Sequence, residues 1–182
     1  MNPWELPTSV EICGVRYEIN TDYRDVMEIM KYLNDDKMPD FMRWQVAVGL
    51  FYEGDIPDEH MQKAAEYMAD FISYGDQSKP GPKLLDWEQD AKIIIADVNK
   101  TAGKEIRSLP YLHWWTFLSY FHAIGEGQLS TTVSIRKKIR EKKKLENWEK
   151  DYYKANKEQI DLKVKVSPQQ QAEIDRLNAL LG

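Results

Sequence analysis

The sequence has very few of the residues that carry covalent or metal-dependent chemistry. Its 182 residues include one cysteine, Cys13, and three histidines. A single cysteine excludes a disulfide within the chain and a zinc site built from thiolates. His113 and His122 are nine residues apart, so on a helix they project from opposite sides and cannot hold one metal ion together. We therefore expect no metal site and no other cofactor.

The sequence also lacks the local patterns of nucleotide binding, acyl transfer, secretion and membrane insertion. No stretch fits GxxxxGKS, GxxxxGKT, GxGxxG or GxSxG. The first residues show no basic region followed by an apolar run, and no segment approaches 18 consecutive apolar residues. We expect a protein that is not an enzyme, has no signal peptide and no membrane span, and suits a reducing cytoplasm.

The composition is that of a globular protein with a hydrophobic core. Hydrophobic residues make up 42% of the chain and charged residues 30%, with a formal net charge of -5. An acidic chain has no overall attraction to nucleic acid or to a membrane surface. The length suits one domain with an appendage, and we predict a domain over residues 1–160 and a C-terminal tail over residues 161–182.

Hydrophobic periodicity predicts a mainly α-helical fold, a compact domain of about five to seven helices with a small N-terminal β-hairpin. The hairpin spans about residues 8–20, where apolar residues alternate on both sides of a turn at Cys13-Gly14. The tail is expected to contain a short amphipathic helix that starts near Ser167. The other predicted helices cover apolar residues between Val26 and Leu33, Phe41 and Phe51, Met61 and Ile72, Trp87 and Val98, Pro110 and Ile124, and a charged stretch from about Thr132 into the 150s.

The most aromatic segment is LPYLHWWTFLSYFHAIG, residues 109–125, which the pattern predicts to be one helix with Pro110 in its first turn. Its apolar residues cover most of the helix circumference, as in a core helix or one shared with a partner. A narrower apolar stripe follows downstream at Leu145, Trp148, Tyr152 and Ala155, and it could close back on the domain or dock onto another chain. We hypothesise that Trp114, Trp115, Phe117 and Phe121 anchor the fold and contribute to a partner surface, and that Trp148 and Tyr152 also bind a partner.

A basic run, Ile135 to Lys144, supports a different interpretation. Such a run can contact a nucleic-acid backbone, although acids follow it and the whole chain is acidic. A small nucleic-acid-binding regulator is therefore the alternative to a protein-binding role. The residues that would make these contacts are Arg136, Lys137, Lys138, Arg140, Lys142, Lys143 and Lys144.

The block from Leu84 to Ile139 resembles a family of tail-assembly proteins from siphophages and prophages of Gram-positive bacteria. The likeness extends over roughly residues 8–160. It is carried by an acidic-aromatic pair, an LHWW block with a following phenylalanine, and a later IR pair, here Asp86-Trp87, Leu112-His113-Trp114-Trp115, Phe117 and Ile135-Arg136.

This resemblance implies a tail-assembly chaperone in the host cytoplasm. Members are encoded between the major tail protein and the tape measure, and are understood to coat the tape-measure protein and hand it to tail-tube subunits. The implied partners are thus the tape-measure and tail-tube proteins, with self-association left open and no membrane partner. A structural component of the virion, such as a connector, is the other alternative.

Overall fold

The computed structural model describes Asn2, residues 4–76 and residues 81–163. Over these residues the chain forms one two-stranded antiparallel sheet and eight α-helices, so the predicted mainly helical fold with an N-terminal hairpin is confirmed. The contacts divide the chain into two compact units. Unit 1 takes in the described residues up to 76 and Tyr111–Trp115; unit 2 takes in residues 81–110 and 116–163. The single domain over residues 1–160 stays a prediction.

The hairpin of unit 1 is formed as its sequence predicts. Strand β1, Ser9–Ile12, pairs with strand β2, Val15–Glu18, and Ile12 lies opposite Val15. Cys13 and Gly14 connect the strands with φ angles of 52° and 80°. Two consecutive left-handed residues define the turn whose twist matches that of paired strands, and glycine adopts this conformation without steric cost.

Three helices complete most of unit 1: α1, Tyr23–Leu33; α2, Asp40–Phe51; and α3, Asp58–Ile72. Asp22 caps α1, because its side chain accepts the backbone N–H of Arg24. The inward faces of the three helices supply a core of fully buried side chains: Val26, Ile29, Val48, Phe51, Met68 and Phe71.

Unit 2 contains α4, Ala91–Ala102, a short 3-10 helix at Ile106–Ser108, and three further helices. These are α6, Gln128–Arg140; α7, Asn147–Ala155; and α8, Lys157–Ile160. The remaining helix, α5, is Trp114–His122, and the boundary between the two units falls within it, between Trp115 and Thr116. Fully buried aliphatic side chains form the interior of unit 2: Val98, Ile106, Ile135 and Ile160.

The long charged helix expected from about Thr132 into the 150s is wrong, because the segment folds as α6, α7 and α8. Helix α6 ends at Arg140, and the chain turns away two residues later at Lys142, whose φ angle is 54°. The N–H of Lys143 bonds to the Lys138 carbonyl at 2.8 Å, and that of Lys142 to the Ile139 carbonyl at 3.0 Å. This is the Schellman ending, in which glycine usually occupies the left-handed position. A lysine there leaves no sign of the helix end in the sequence.

The expected C-terminal amphipathic helix lies outside the described residues. Among the helices that the structure does describe, none combines the length and the apolar character that crossing a bilayer demands.

Candidate partner-binding surfaces

The LHWW block begins as extended chain that pairs with the start of α1. The Trp114 N–H donates to the Thr21 carbonyl at 2.7 Å, and the Tyr23 N–H donates to the Leu112 carbonyl at 2.9 Å. The second oxygen of Asp22 accepts the N–H of Leu112 at 2.9 Å. Because these backbone groups bond to unit 1 instead of to a helix, α5 starts at Trp114 and the predicted start near Pro110 is wrong.

The two adjacent tryptophans close the C-terminus of α3. The Trp114 indole N–H donates to the Ile72 carbonyl at 2.9 Å, and that of Trp115 donates to the Phe71 carbonyl at 3.0 Å. The last carbonyls of a helix have no partner inside the helix and must find donors elsewhere. Both indoles are buried, and the Trp115 ring stacks on the Phe71 ring with centroids 5.3 Å apart. Both tryptophans therefore serve the interior of unit 1.

His113 is held in one neutral tautomer. Its Nδ1 accepts the backbone N–H of Trp115 at 3.1 Å, so its Nε2 carries the proton and donates to the Pro7 carbonyl, also at 3.1 Å. Burial lowers the pKa of the imidazole, against the opposing effect of the Pro7 carbonyl. The ring thus caps the first turn of α5 and ties it to the N-terminal segment. His122 is exposed.

The proposed anchors of the fold differ in exposure. Trp114, Trp115 and Phe117 are buried in their own chain, and Phe121 is half-buried beside Trp87, with ring centroids 5.0 Å apart. The buried three cannot reach a partner while the chain keeps this fold. Across residues 4–76 and 81–163, no three acidic, histidine or cysteine side chains are grouped so as to bind a metal ion.

An aromatic surface lies instead on α2. The apolar line of this helix runs through Phe41, Trp44, Val48 and Phe51 at spacings of three and four residues. Its C-terminal half, Val48 and Phe51, is fully buried, whereas Phe41 is 66% exposed and Trp44 is 42% exposed. Met42 beside them is also exposed. We call Phe41, Met42 and Trp44 the α2 aromatic surface.

Acidic side chains border the α2 aromatic surface. Arg43 forms ion pairs with Asp40 and, at 3.8 Å, with Asp36, and it donates to the Leu33 carbonyl. The arginine is the more buried partner, and both carboxylates stay largely exposed. The two exposed carboxylates therefore share a single guanidinium that is largely buried, and Lys37 adds one exposed cation to the same segment.

A second exposed surface surrounds the turn between α6 and α7. Trp148 is 55% exposed, and Ile139 is exposed at the end of α6. Two lysines of the basic run are paired: Lys138 with Glu149 at 2.6 Å and Lys143 with Glu141 at 2.7 Å. The other exposed cations have no ion-pair partner among the described residues, and with the two apolar side chains they form what we call the basic surface: Lys137, Arg140, Lys142, Lys144, Ile139 and Trp148.

The first basic residue of the basic run, Arg136, is buried inside unit 2. Its guanidinium forms two bonds to the Asp90 carboxylate, at 2.6 and 2.9 Å. It also donates to the carbonyls of Ile160, Gln159 and Leu84, so all five of its N–H donors are used. Arg136 holds α6, α8 and the segment before α4 together. The structure therefore places it away from the surface where sequence reasoning expected a phosphate contact. Tyr152, from the same hypothesis, is half-buried on α7.

Sequence reasoning also missed how α6 begins. The capping position is Gly127, which has no side chain to accept a backbone N–H. The carboxylate of Asp97 on α4 accepts the N–H of Leu129 at 2.9 Å in its place. A Cβ at Gly127 would lie 2.5 Å from this carboxylate, so glycine is required there. The partners are 32 residues apart, and no local pattern reveals the pairing.

These features define a class: a mainly helical protein with an internal tryptophan pair and with exposed aromatic and basic surfaces. A family model described as Bacteriophage Gp15 protein matches residues 4–162. The chain belongs to this family of bacteriophage proteins. No curated protein and no solved structure matches it.

Proposed function

We propose that this chain is a phage tail-assembly chaperone that works in the cytoplasm of the bacterial host. It binds the tape-measure protein, keeps it from aggregating, and passes it to the tail-tube subunits without catalysing a reaction. Membership of a bacteriophage family supports the phage setting. The binding role is supported most directly by the exposed apolar side chains of the α2 aromatic surface.

The α2 aromatic surface has the features of a site for an amphipathic helix. Its exposed half continues a stripe whose other half packs in the core of unit 1, so a partner helix laid on it would extend packing already present. Helix recognition commonly uses anchors at such spacings. Tryptophan and phenylalanine bury large areas with few torsions, and methionine adapts to irregular partners.

Co-expression with the tape-measure gene tests the proposal. The double variant Phe41→Ser, Trp44→Ser is expected to leave most of the tape-measure protein insoluble, because the exposed anchors are lost. The control variant Val15→Ser removes an exposed apolar side chain from the hairpin. Equal tape-measure solubility with both variants, each folded by circular dichroism, would contradict the proposal.

A virion component is distinguished by the composition of finished particles. A chaperone is absent after assembly, whereas a connector subunit remains at a fixed copy number. Mass spectrometry of purified particles measures this directly. Detection of the chain in stoichiometric amounts would replace the chaperone role with a structural one.

The cations of the basic surface, which lack an ion-pair partner within the part of the chain that the structure describes, favour one second candidate, a nucleic-acid-binding regulator. Contacts from Lys137, Arg140, Lys142 and Lys144 to phosphates would weaken steeply with added salt. A gel-shift titration at low salt, with Lys142→Ala, Lys144→Ala as the matched variant, tests it. A complex that forms at low salt and is lost in that variant would support this candidate; no complex would remove it.

A further inference from the structure

The two units carry opposite net charge. The described residues of unit 1 hold 16 acidic and 6 basic side chains, a net charge of -10. Those of unit 2 hold 12 acidic and 16 basic side chains, a net charge of +4. The whole chain is therefore acidic, although the described part of unit 2 is basic. Unit 1 of one copy is therefore attracted to unit 2 of another copy, whereas like units of two copies repel each other.

Each unit also exposes an apolar patch, and exposed side chains with the sign of that unit's net charge lie beside it. In unit 1 the α2 aromatic surface lies beside the exposed carboxylates of Asp36 and Asp40. In unit 2 the Trp148 indole donates to the Glu146 carboxylate at 2.8 Å. The exposed cations around Trp148 and Ile139 nevertheless outnumber the exposed acids of the same segment, Glu141 and Glu146. The two patches are alike in apolar character, and the units that carry them have net charges of opposite sign, so the pair is complementary in charge.

We propose that the chain associates with copies of itself head to tail, with the α2 aromatic surface of one copy on the basic surface of the next. A symmetric contact between two like patches would bring like charges together, which complementary interfaces avoid. A head-to-tail contact uses different patches on the two copies, so each added copy leaves one patch of each kind free. Such association extends to chains of several copies unless it closes into a ring.

This inference does not depend on the tape-measure role and concerns the chain alone. Both proposals use the α2 aromatic surface, so a partner helix and a second copy compete for it. Self-association then covers exposed aromatic side chains until a partner displaces them. Because the chain alone is measured, failure of self-association and failure of tape-measure binding are separate results.

Sedimentation velocity across a range of concentrations and salt tests the proposal. The average mass of the wild-type chain is expected to rise with concentration at low salt and to fall as salt screens the charges. Two variants each block one patch: Phe41→Ser, Trp44→Ser on α2, and Lys142→Glu, Lys144→Glu on the basic surface. Each alone is expected to stay monomeric.

Mixing the two blocked variants gives the decisive result. Each retains the patch that the other has lost, so an equimolar mixture is expected to form a one-to-one dimer and nothing larger. The control pair Lys104→Glu, Lys154→Glu changes exposed lysines of unit 2 away from the basic surface and is expected to associate like the wild type. Circular dichroism confirms that all variants are folded.

Four outcomes would overturn the proposal. The wild type stays monomeric at low salt; a blocked variant still dimerises alone, which indicates a symmetric contact; the mixture of blocked variants forms no dimer; or the mass rises only when nucleic acid is added. A one-to-one dimer in the mixture, with monomers in the separate samples, establishes the head-to-tail contact.

Discussion

The aromatic residues of the LHWW block and those of α2 lie in opposite environments. Trp114 and Trp115 sit in the densest aromatic stretch of the sequence, yet they are buried and bonded to backbone carbonyls of α3. Phe41 and Trp44 belong to a less conspicuous helix and are exposed. In this protein the densest aromatic stretch of the sequence is interior. The apolar line of α2 extends beyond the core of unit 1, and its first residues are exposed.

The difference has a physical origin in the polar atoms of the tryptophans. A buried indole needs an acceptor for its N–H, and the C-terminus of α3 needs donors for its last carbonyls. The LHWW block satisfies both requirements at once. In the described part of unit 1, Arg43 of the first turn of α2 bonds to the Leu33 carbonyl at the end of α1, but Trp44 stays 42% exposed.

The largest loss of stability is expected from Trp114→Ala, which removes one of the two buried indoles. The variant leaves a cavity and removes the indole donor, and it should lower the free energy of unfolding by about 3–5 kcal/mol. Trp44→Ala is the matched control and should change it by less than about 0.5 kcal/mol. Urea denaturation measures both. Equal losses in the two variants would show that the buried and exposed environments are not distinct.

Buried and exposed side chains also differ within the basic run. Arg136→Met leaves the Asp90 carboxylate buried without its partner, and we expect a loss of about 3 kcal/mol or more. Arg140→Met changes an exposed residue of the same helix and should be nearly neutral. Thermal denaturation of the pair ranks them. A neutral Arg136 variant would mean that the buried ion pair does not hold unit 2 together.

A smaller effect is expected from protonation of His113. Its pKa is lowered in the folded protein, so the unfolded chain takes up the proton first. The stability contributed by the neutral ring is complete above the ordinary histidine pKa of 6.5 and is lost as the pH falls below it. Denaturation midpoints from pH 8 to pH 5 should show this decline. In His113→Asn, which keeps a capping oxygen but does not titrate, this part of the decline should vanish; an identical pH profile would refute the assignment.

The smallest predicted effect is a gain. Lys142→Gly relieves a left-handed residue at the end of α6 and should raise the free energy of unfolding by up to about 1 kcal/mol. Lys144→Gly, two residues on, is the control for loss of a lysine side chain. A destabilised Lys142→Gly protein would show that the lysine side chain contributes more than its backbone costs.

Much of the fold follows from local pattern. The Cys13-Gly14 turn and the apolar line of α2 predict the hairpin and a helix that the structure contains. What local pattern misses is set by contacts between distant residues. Asp97 caps α6 from another helix, and the carbonyls of α3 are met by indoles more than forty residues away.

The candidate surface was predictable in part. The sequence identifies the apolar line through Phe41 and Trp44, but the exposure of its first half depends on which elements of unit 1 reach it. Trp148 is exposed as its narrow stripe allows, whereas Arg136 has the same local sequence signal as its exposed neighbours and differs only in its burial beside Asp90.

The discontinuity of unit 1 along the chain affects how the protein is made. Residues up to 76 leave the ribosome before Tyr111–Trp115, the segment that completes the same unit. At ordinary rates of synthesis the interval is roughly a few seconds. During this time the end of α3 and Phe71 lack the two tryptophans that later cover them, and the nascent chain is accessible to cellular chaperones and proteases. A ribosome-bound fragment that stops at residue 100 should therefore be digested readily, whereas one that extends past residue 160 should resist.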